Sequence, residues 1–369
     1  MMKEKSFFRK HMVLISVIGV FLILTLVGVV VYYNPPDVLL DFVIRQGIKL
    51  NQQKPSVFED DGLYVITTGT GAPLPEKGRA GPQTVVVAGE QVLVFDAGPG
   101  STLNLVLSGI SPDDISGLFL THFHSDHIGD IGELALKYWT ANGSDVPLQV
   151  YGPPGVQMVI DGFEQAYVLD RGYRIDHHGE ETMPPSGFGF EVHPFDLGSD
   201  LMSSQTVYKS GEVEVIAFNV NHLPVFPAVG YRVNYKGRSV VITGDTIYTE
   251  SLTHHAKGAD TLVSEALNHK YSQMVSDSSK DMGSNVSVVA KDIKTYHIRP
   301  DEVGIVANDA EVSQVIITHI LPPIPSNILK NAFLRGMKET YSGSVYIAND
   351  GTLIKMPVGS DEIFIKELL

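Results

Sequence analysis

The chain has 369 residues, 43% of them hydrophobic, enough for one large domain or two small ones with an ample core. It contains no cysteine, which excludes a disulfide framework and any thiolate metal ligand. The formal net charge of −15 counts against a surface built to neutralise phosphate backbones, which is work done by Lys and Arg.

Residues 1–11 form a short tail carrying Lys3, Lys5, Arg9 and Lys10. Met12 to Tyr33 is almost unbroken apolar sequence. As an α-helix it would rise about 33 Å, enough to cross a bilayer core. The basic flank predicts a single-pass signal-anchor at the cell membrane, with the tail in the cytoplasm and everything after Tyr33 outside it. The run is long for a cleaved signal peptide, and no Ala-x-Ala site follows it. Asn34-Pro35-Pro36-Asp37 ends the span. Asp37 to Asn51 reads as a short juxtamembrane helix and the stretch to Asp61 as a linker, so that residues 34–61 join the anchor to one domain over 62–369.

Within that domain, Leu63 to Thr68 is predicted as a strand, and Thr84 to Ala88 with Val92 to Phe95 as a hairpin around Gly89-Glu90. Asp96-Ala97-Gly98-Pro99-Gly100 lacks the Lys-Ser/Thr of a phosphate loop and reads as a tight turn before a helix over Thr102 to Leu107. Gly117 to Thr121 is an apolar strand that runs into His122-Phe123-His124-Ser125-Asp126-His127. On extended backbone His122 and His124 point to the same side, with Asp126 and His127 on the following turn. Three imidazoles and a carboxylate in six positions are the ligand types of zinc, with manganese or iron also accommodated, and two ligand pairs suit two ions.

Ile131 to Thr140 reads as a helix, Leu148 to Tyr151 as a strand and Val156 to Leu169 as a helix. From Asp170 to Ser210 the pattern loosens. This insert is expected to lie over the site and to offer Tyr167, Arg171, Tyr173, Arg174, His177 and His178 to a pocket, although a His-His pair in a loop is more simply a solvated surface. Strands follow at Val213 to Asn219, Val229 to Asn234, Ser239 to Thr243, Ala259 to Glu265 and Val315 to Thr318, with a helix over Asp301 to Ala310. Ser344 to Ala348 and Thr352 to Met356 are expected to close the chain as a hairpin around Asn349-Asp350-Gly351. Asp96, His222, Asp245 and His319 each stand just past an apolar strand. Strand ends at one edge of a sheet can converge, and such edges carry function.

Taken in order, these motifs resemble the metallo-β-lactamase superfamily, and within it the ribonuclease Z and arylsulfatase-like branch. The resemblance spans Gly62 to about Met356. It rests on Gly69-Thr70-Gly71, Phe95-Asp96-Ala97-Gly98, the His122–His127 motif, His222 ahead of Ala228-Val229-Gly230-Tyr231-Arg232, Gly244-Asp245-Thr246, Ser264-Glu265-Ala266, His297 and Thr318-His319. It implies a four-layer αββα sandwich. It also implies one divalent ion on His122, His124, His222 and Asp245, and a second on Asp126, His127, Asp245 and His319, with Asp245 bridging and the ions most often Zn2+, otherwise Mn2+ or Fe2+. By the same resemblance Asp126 takes a proton from a hydroxide shared by the ions, His297 assists the leaving group and Glu265 orients His297; Asp96 itself reads as fixing an imidazole rather than as a ligand. Ser125 stands where ribonuclease Z usually has Gly, and Ser264-Glu265-Ala266-Leu267 replaces its His-Glu-Ala-Thr. No protruding tRNA-binding arm is recognisable, and His222-Leu223-Pro224-Val225-Phe226-Pro227-Ala228 looks closer to the arylsulfatase-like relatives.

The leading expectation is therefore a membrane-anchored binuclear hydrolase of a small phosphodiester or sulfate ester. Its partners would be that ester, the membrane and, in an allowed homodimer, a second copy of the chain; nucleic acid is not expected. The alternatives are a ribonuclease Z-like tRNA 3′-processing endonuclease and a non-catalytic binding or sensor protein on the same scaffold.

Overall fold

The computed structural model describes Thr25, Val29, residues 31–52, Phe58, and residues 60–280, 285–324 and 326–369. The chain divides into two units, Met1–Pro55 and Ser56–Leu369. Most of the span expected as an anchor, and the whole basic tail, lie outside the described residues. Among the described residues no helix is long and apolar enough to cross a membrane. In the first unit the expected short helix is present as α1, Asp37–Gln52, with an exposed Asp41–Arg45 pair one turn apart at 2.8 Å.

The second unit is built on two stacked sheets. The first contains β1 (Gly62–Gly69), β2 (Gln83–Ala88), β3 (Gln91–Phe95), β4 (Ile115–Phe119), β5 (Leu148–Gly152), β6 (Phe190–Pro194), β14 (Thr352–Pro357) and β15 (Phe364–Glu367), in the order 15-14-1-2-3-4-5-6. The second contains β7 (Ser204–Ser210), β8 (Val213–Asn219), β9 (Val229–Tyr235), β10 (Arg238–Ile242), β11 (Thr261–Leu267), β12 (Gln314–Leu321) and β13 (Ser344–Ile347), in the order 13-12-11-10-9-8-7.

Alternate side chains of the central strands serve different cores, which is why these strands read as continuous apolar runs. Leu63 and Val65 of β1 join Val240 and Ile242 of β10 in the core between the sheets. Tyr64 and Ile66 face outward, where Leu105 of α2 (Ser101–Leu107), Leu134 of α4 (Ile131–Asn142) and Ile160 of α5 (Val156–His178) cover them; α3 is the single turn Ser125–Ile128. On the second sheet Val241, Val315 and Ile317 pack under Leu252 of α6 (Glu250–Ala256) and Val303 and Val306 of α9 (Pro300–Asp309). Three cores between four layers result. Two further helices, α7 (His269–Ser279) and α8 (Val286–Asp292), fill the segment between β11 and α9, and α10 (Asn327–Phe333) and α11 (Met337–Thr340) lie between β12 and β13.

Four expectations are corrected. The helix starting at Val156 runs on to His178 through the stretch read as loose. An Asp170–Arg174 pair at 2.6 Å ties successive turns, and Arg171 anchors the far end by donating to the Pro185 carbonyl and lying over the Phe188 ring. The rest of that insert is not irregular either, since it forms β6 and β7. The closing hairpin does not form: β13 pairs in parallel with β12 in the second sheet, and β14 pairs with β1 in the first. The turn between them is buried because the Asp350 carboxylate accepts hydrogen bonds from the Thr70 amide and hydroxyl, the Ala80 amide and the Asn104 side chain. Finally, β4 stops at Phe119, two residues before Thr121, so His122 and His124 are not on strand backbone.

Candidate metal centre

The ends of β3, β4, β8, β10 and β12 bring the ligand-type residues together. Past β4, His122 and His124 stand on irregular backbone and Asp126 and His127 on the turn α3, yet His122 Nε2 and His124 Nδ1 are 3.0 Å apart. His222 follows β8, with Nε2 3.4 Å from His124 Nδ1. Asp245 follows β10, its Oδ2 lying 3.8 Å from His122 Nε2, 3.7 Å from His222 Nε2 and 3.5 Å from His319 Nε2. Its other oxygen is 3.4 Å from His127 Nε2. His319 Nε2 also lies 3.3 Å from Asp126 Oδ2.

His319 sits within β12 rather than after it. Opposite it the ladder slips: Glu265 pairs with Thr318, but Ala266 pairs with Ile320. His319 is the extra residue, with φ +40°, and a bulge of this kind re-aims a side chain out of the alternation. Asp96, at φ +60°, is a second non-glycine residue in left-handed backbone beside the centre, and strain of this sort collects at functional sites.

The outer nitrogens of three rings are set by their partners. The Asp96 carboxylate accepts from His127 Nδ1 at 2.8 Å and from the Thr121 amide and hydroxyl at 2.8 Å each. Since that hydroxyl donates to Asp96, it accepts from His122 Nδ1 at 3.0 Å. The Tyr296 carbonyl, which can only accept, takes the N–H of His222 Nδ1 at 2.8 Å. In each ring Nε2 is thereby left to the cluster, the arrangement that presents a lone pair to a metal ion.

His122, His127, His222, Asp245 and His319 are all buried. Burial and the neighbouring His127 hold His122 well below the ordinary imidazole range, and burial brings His222 down to about 4. Burial acts the same way on His319 and His127, but the surrounding carboxylates outweigh it. Asp245 and Asp126 raise His319 to about 9, and Asp245, Asp126 and Asp96 hold His127 well above its usual value. Burial opposes ionisation of Asp245, yet His319 and His127 keep it well below the ordinary carboxylate range.

These residues fit divalent ions. His127 Nε2 and Asp245 Oδ1 are buried without a hydrogen-bond partner, and both point into the cluster. Two groups have ligand atoms spaced to hold an ion, His122, His124, His222 and Asp245, and Asp126, His127 and His319, with Asp245 lying between them. His297 forms a third such group with Asp245 and His319. Its Nδ1 lies 2.9 Å from Glu265 Oε1 and 3.9 Å from Asp245. Burial lowers His297 to about 4 and, with the Asp245 charge, raises Glu265 well above the usual range.

A cavity of about 420 Å3 opens beside the cluster. Its lining includes His124, Asp126, Asp245, Tyr296 and His297, and, facing them, Val286, Val289, Ala290 and Ile293. None of Tyr167, Arg171, Tyr173, Arg174, His177 and His178, expected there, lines it; their helix covers the far side of the first sheet, and it is α8 that walls the cavity. Thr121, the Tyr296 carbonyl and α8 are the contributions that sequence reading misses. The i, i+3, i+4, i+7 spacing of Val286, Val289, Ala290 and Ile293 is the one signal that could have found the last.

Two carboxylates ringed by five imidazoles, at the edge shared by two stacked sheets with helices outside, form a ligand set that could hold divalent metal ions. The chain belongs to the metallo-beta-lactamase superfamily, whose sequence profile matches residues 77–282. It is 33% identical over 292 residues to ribonuclease Z of Mycobacterium bovis, covering 78% of this chain and 96% of that protein. Among solved structures, the metallo-beta-lactamase fold protein YhfI from Bacillus subtilis superposes with TM-score 0.58 at 18% identity, covering 80% of this chain and all of that one. Human tRNase Z, short form, superposes with TM-score 0.56 at 22% identity, covering 80% of this chain and 99% of that one.

These relatives overturn the leading expectation of an arylsulfatase-like hydrolase of a small ester. Proteins matched along nearly their whole length are named as ribonucleases. Net charge does not exclude a nucleic-acid substrate, since −15 is a sum over the whole surface and does not say what lies at the catalytic edge.

Proposed function

We propose that the chain is a ribonuclease Z-like, metal-dependent phosphodiesterase that cleaves RNA, with the 3′ processing of tRNA precursors as its reaction. The observation that carries this reading is the ligand cluster, buried except for the half-buried His124 and Asp126, in a chain aligned with 96% of a ribonuclease Z. His122, His124, His222 and Asp245 would hold one divalent ion, and Asp126, His127, Asp245 and His319 the other; imidazole and carboxylate are the ligand types of zinc. Ions held there supply Lewis acidity, polarising phosphoryl oxygens and lowering the pKa of water.

Hydrolysis forms a bond from a water oxygen to phosphorus, breaks the bond from phosphorus to the leaving ribose oxygen, and moves one proton to that oxygen. Asp126, partly open to the cavity, is positioned to accept the proton of the attacking water. His297 turns Nδ1 to Glu265 and leaves Nε2 for the leaving oxygen. Glu265 acts through that ring as a positioning residue, itself held by the Thr246 amide at 2.9 Å. The test is incubation of the zinc- or manganese-loaded protein with a tRNA precursor bearing a 3′ trailer. Release of the trailer is expected. A protein that binds two ions and cleaves no RNA overturns the reading.

A further inference from the structure

Behind the ligand cluster, between the two sheets, lies a second cavity of about 30 Å3. Phe95, Ile242 and Val263 of the inter-sheet core line it on one side, and His127, Asp245 and His319 on the other. Asp245 alone also lines the cavity of about 420 Å3, and Asp126 belongs only to the larger one. Among the described residues, His319 Nδ1, Thr318 Oγ1 and Glu265 Oε2 are buried without a hydrogen-bond partner, and all three residues line the small cavity. Glu265 and His319 are each 2% exposed. Glu265 and Thr318 are direct neighbours across β11 and β12. Buried polar atoms are nearly always satisfied, so three orphans at one void call for a shared partner.

The partner matters most at His319. His127, His122 and His222 each turn the outer nitrogen to Asp96, Thr121 or the Tyr296 carbonyl. His319 has Nε2 3.3 Å from Asp126 and 3.5 Å from Asp245, and no described group at Nδ1. The His127 and His297 rings stack on it, with centroids 5.1 and 5.6 Å away. Stacking holds the plane of a ring but lets it turn within that plane, so a contact at Nδ1 is what aims Nε2. The chemistry narrows the occupant. An ion on Nε2 leaves the hydrogen of the ring on Nδ1, a donor, while Glu265 Oε2 offers an acceptor. A metal cation cannot accept from the first, and an anion would sit against Asp96 and Asp245. A water molecule both accepts and donates. The volume agrees, since it exceeds the roughly 10–15 Å3 that one water needs and is far below the roughly 300 Å3 at which small-ligand sites begin.

We infer that the small cavity is a binding site for one structural water, held between His319 Nδ1, Thr318 Oγ1 and Glu265 Oε2, and that this water fixes the His319 ring as Asp96 fixes that of His127. Buried water typically makes about two to four hydrogen bonds to groups that would otherwise have none. Thr318 is then a positioning residue, acting on the metal centre through the water and His319. Glu265 has two tasks. Its Oε1 holds His297 at 2.9 Å and its Oε2 holds the water, so one side chain spans the ligand His319 and the ring assigned to the leaving group. The inference makes no use of the RNA-cleaving reading and is decided apart from it.

The test begins with crystal structures of the full chain, metal-free and zinc-loaded, at a resolution that shows ordered water. Density for one water at about 2.7–3.2 Å from His319 Nδ1 and Thr318 Oγ1 is expected in both states. A dry cavity, or a side chain closing onto Nδ1, overturns the inference. Zinc titration against a competing chelator then reads the effect on the ligand. Thr318→Val keeps the shape of the side chain and removes the hydroxyl. It is expected to weaken the binding of one of the two ions about 10- to 100-fold, the loss usual for the outer partner of a ligand, and to leave the other near wild type. Thr318→Ser keeps the hydroxyl and is expected to bind both ions as the wild type does. Glu265→Gln keeps a polar atom at the water and is expected to do the same. Circular dichroism checks that the variants fold. Wild-type affinity in Thr318→Val, or an equal loss in Thr318→Ser, assigns Thr318 to packing and overturns the inference. If Thr318→Val does not fold, the density at His319 Nδ1 decides alone.

Discussion

Asp96 Oδ2 lies 2.8 Å from His127 Nδ1, and this contact aims His127 Nε2 at Asp245 Oδ1, 3.4 Å away. The same carboxylate binds the Thr121 amide and hydroxyl, and that hydroxyl holds His122. One buried side chain therefore orients an imidazole in each of the two ligand groups.

Asp96→Asn should keep the fold, since Asn tolerates the left-handed backbone that Asp96 adopts at φ +60°. It removes the charge that fixes the His127 ring. Loss of such an outer partner typically costs about 10- to 100-fold in metal affinity, and a zinc titration against a competing chelator would measure it. An affinity equal to wild type would show that Asp96 is only a turn residue.

Asp245→Ala removes the carboxylate that lies between both ligand groups. Catalysis on an RNA substrate should fall by about a thousandfold or more, since charge stabilisation by the ions amounts to several kcal/mol. Added zinc should raise the wild-type melting temperature and leave that of the variant unmoved. The wild-type gain is about 2.7 kcal/mol at a metal concentration 100 times Kd.

Metal uptake should release protons. In the metal-free protein Asp245 and Asp126 raise His319 to about 9 against the pull of burial, so at pH 7.5 the ring carries a proton that a metal ion must expel. Apparent affinity should therefore climb with pH up to about 9. Calorimetry of zinc binding in buffers of different ionisation enthalpy would count the protons. The metal-free protein should show the opposite slope. A raised histidine stabilises the fold fully below its unfolded pKa of about 6.5, and that contribution is lost as pH rises through 9.

Glu265→Gln and His297→Ala should separate chemistry from binding. Both act after substrate and ions are in place, so kcat should drop about 10²- to 10⁴-fold with KM and bound metal little changed. A large loss of bound metal in His297→Ala would instead place His297 among the ligands, as its closeness to Asp245 and His319 allows.

Much of the centre is legible in the amino-acid order because its residues follow apolar strands. A run such as VVITG before Asp245 is buried on both faces, and a polar residue at its end has only the sheet edge to occupy. The compact His122–His127 motif is local, so its spacing survives even though β4 ends early. Tertiary pairing alone decided the rest. Asn349-Asp350-Gly351 looks like a hairpin turn, but Asp350 is buried against Thr70, Ala80 and Asn104, and the two flanking strands go to different sheets. His319 reaches the cluster only because β11 and β12 slip by one residue, a fact of the partner strand that no local pattern contains. The apolar side of α8 reads as an ordinary helix-core face, and its place beside the ligands depends on where β11 and α9 set the ends of the segment that carries it.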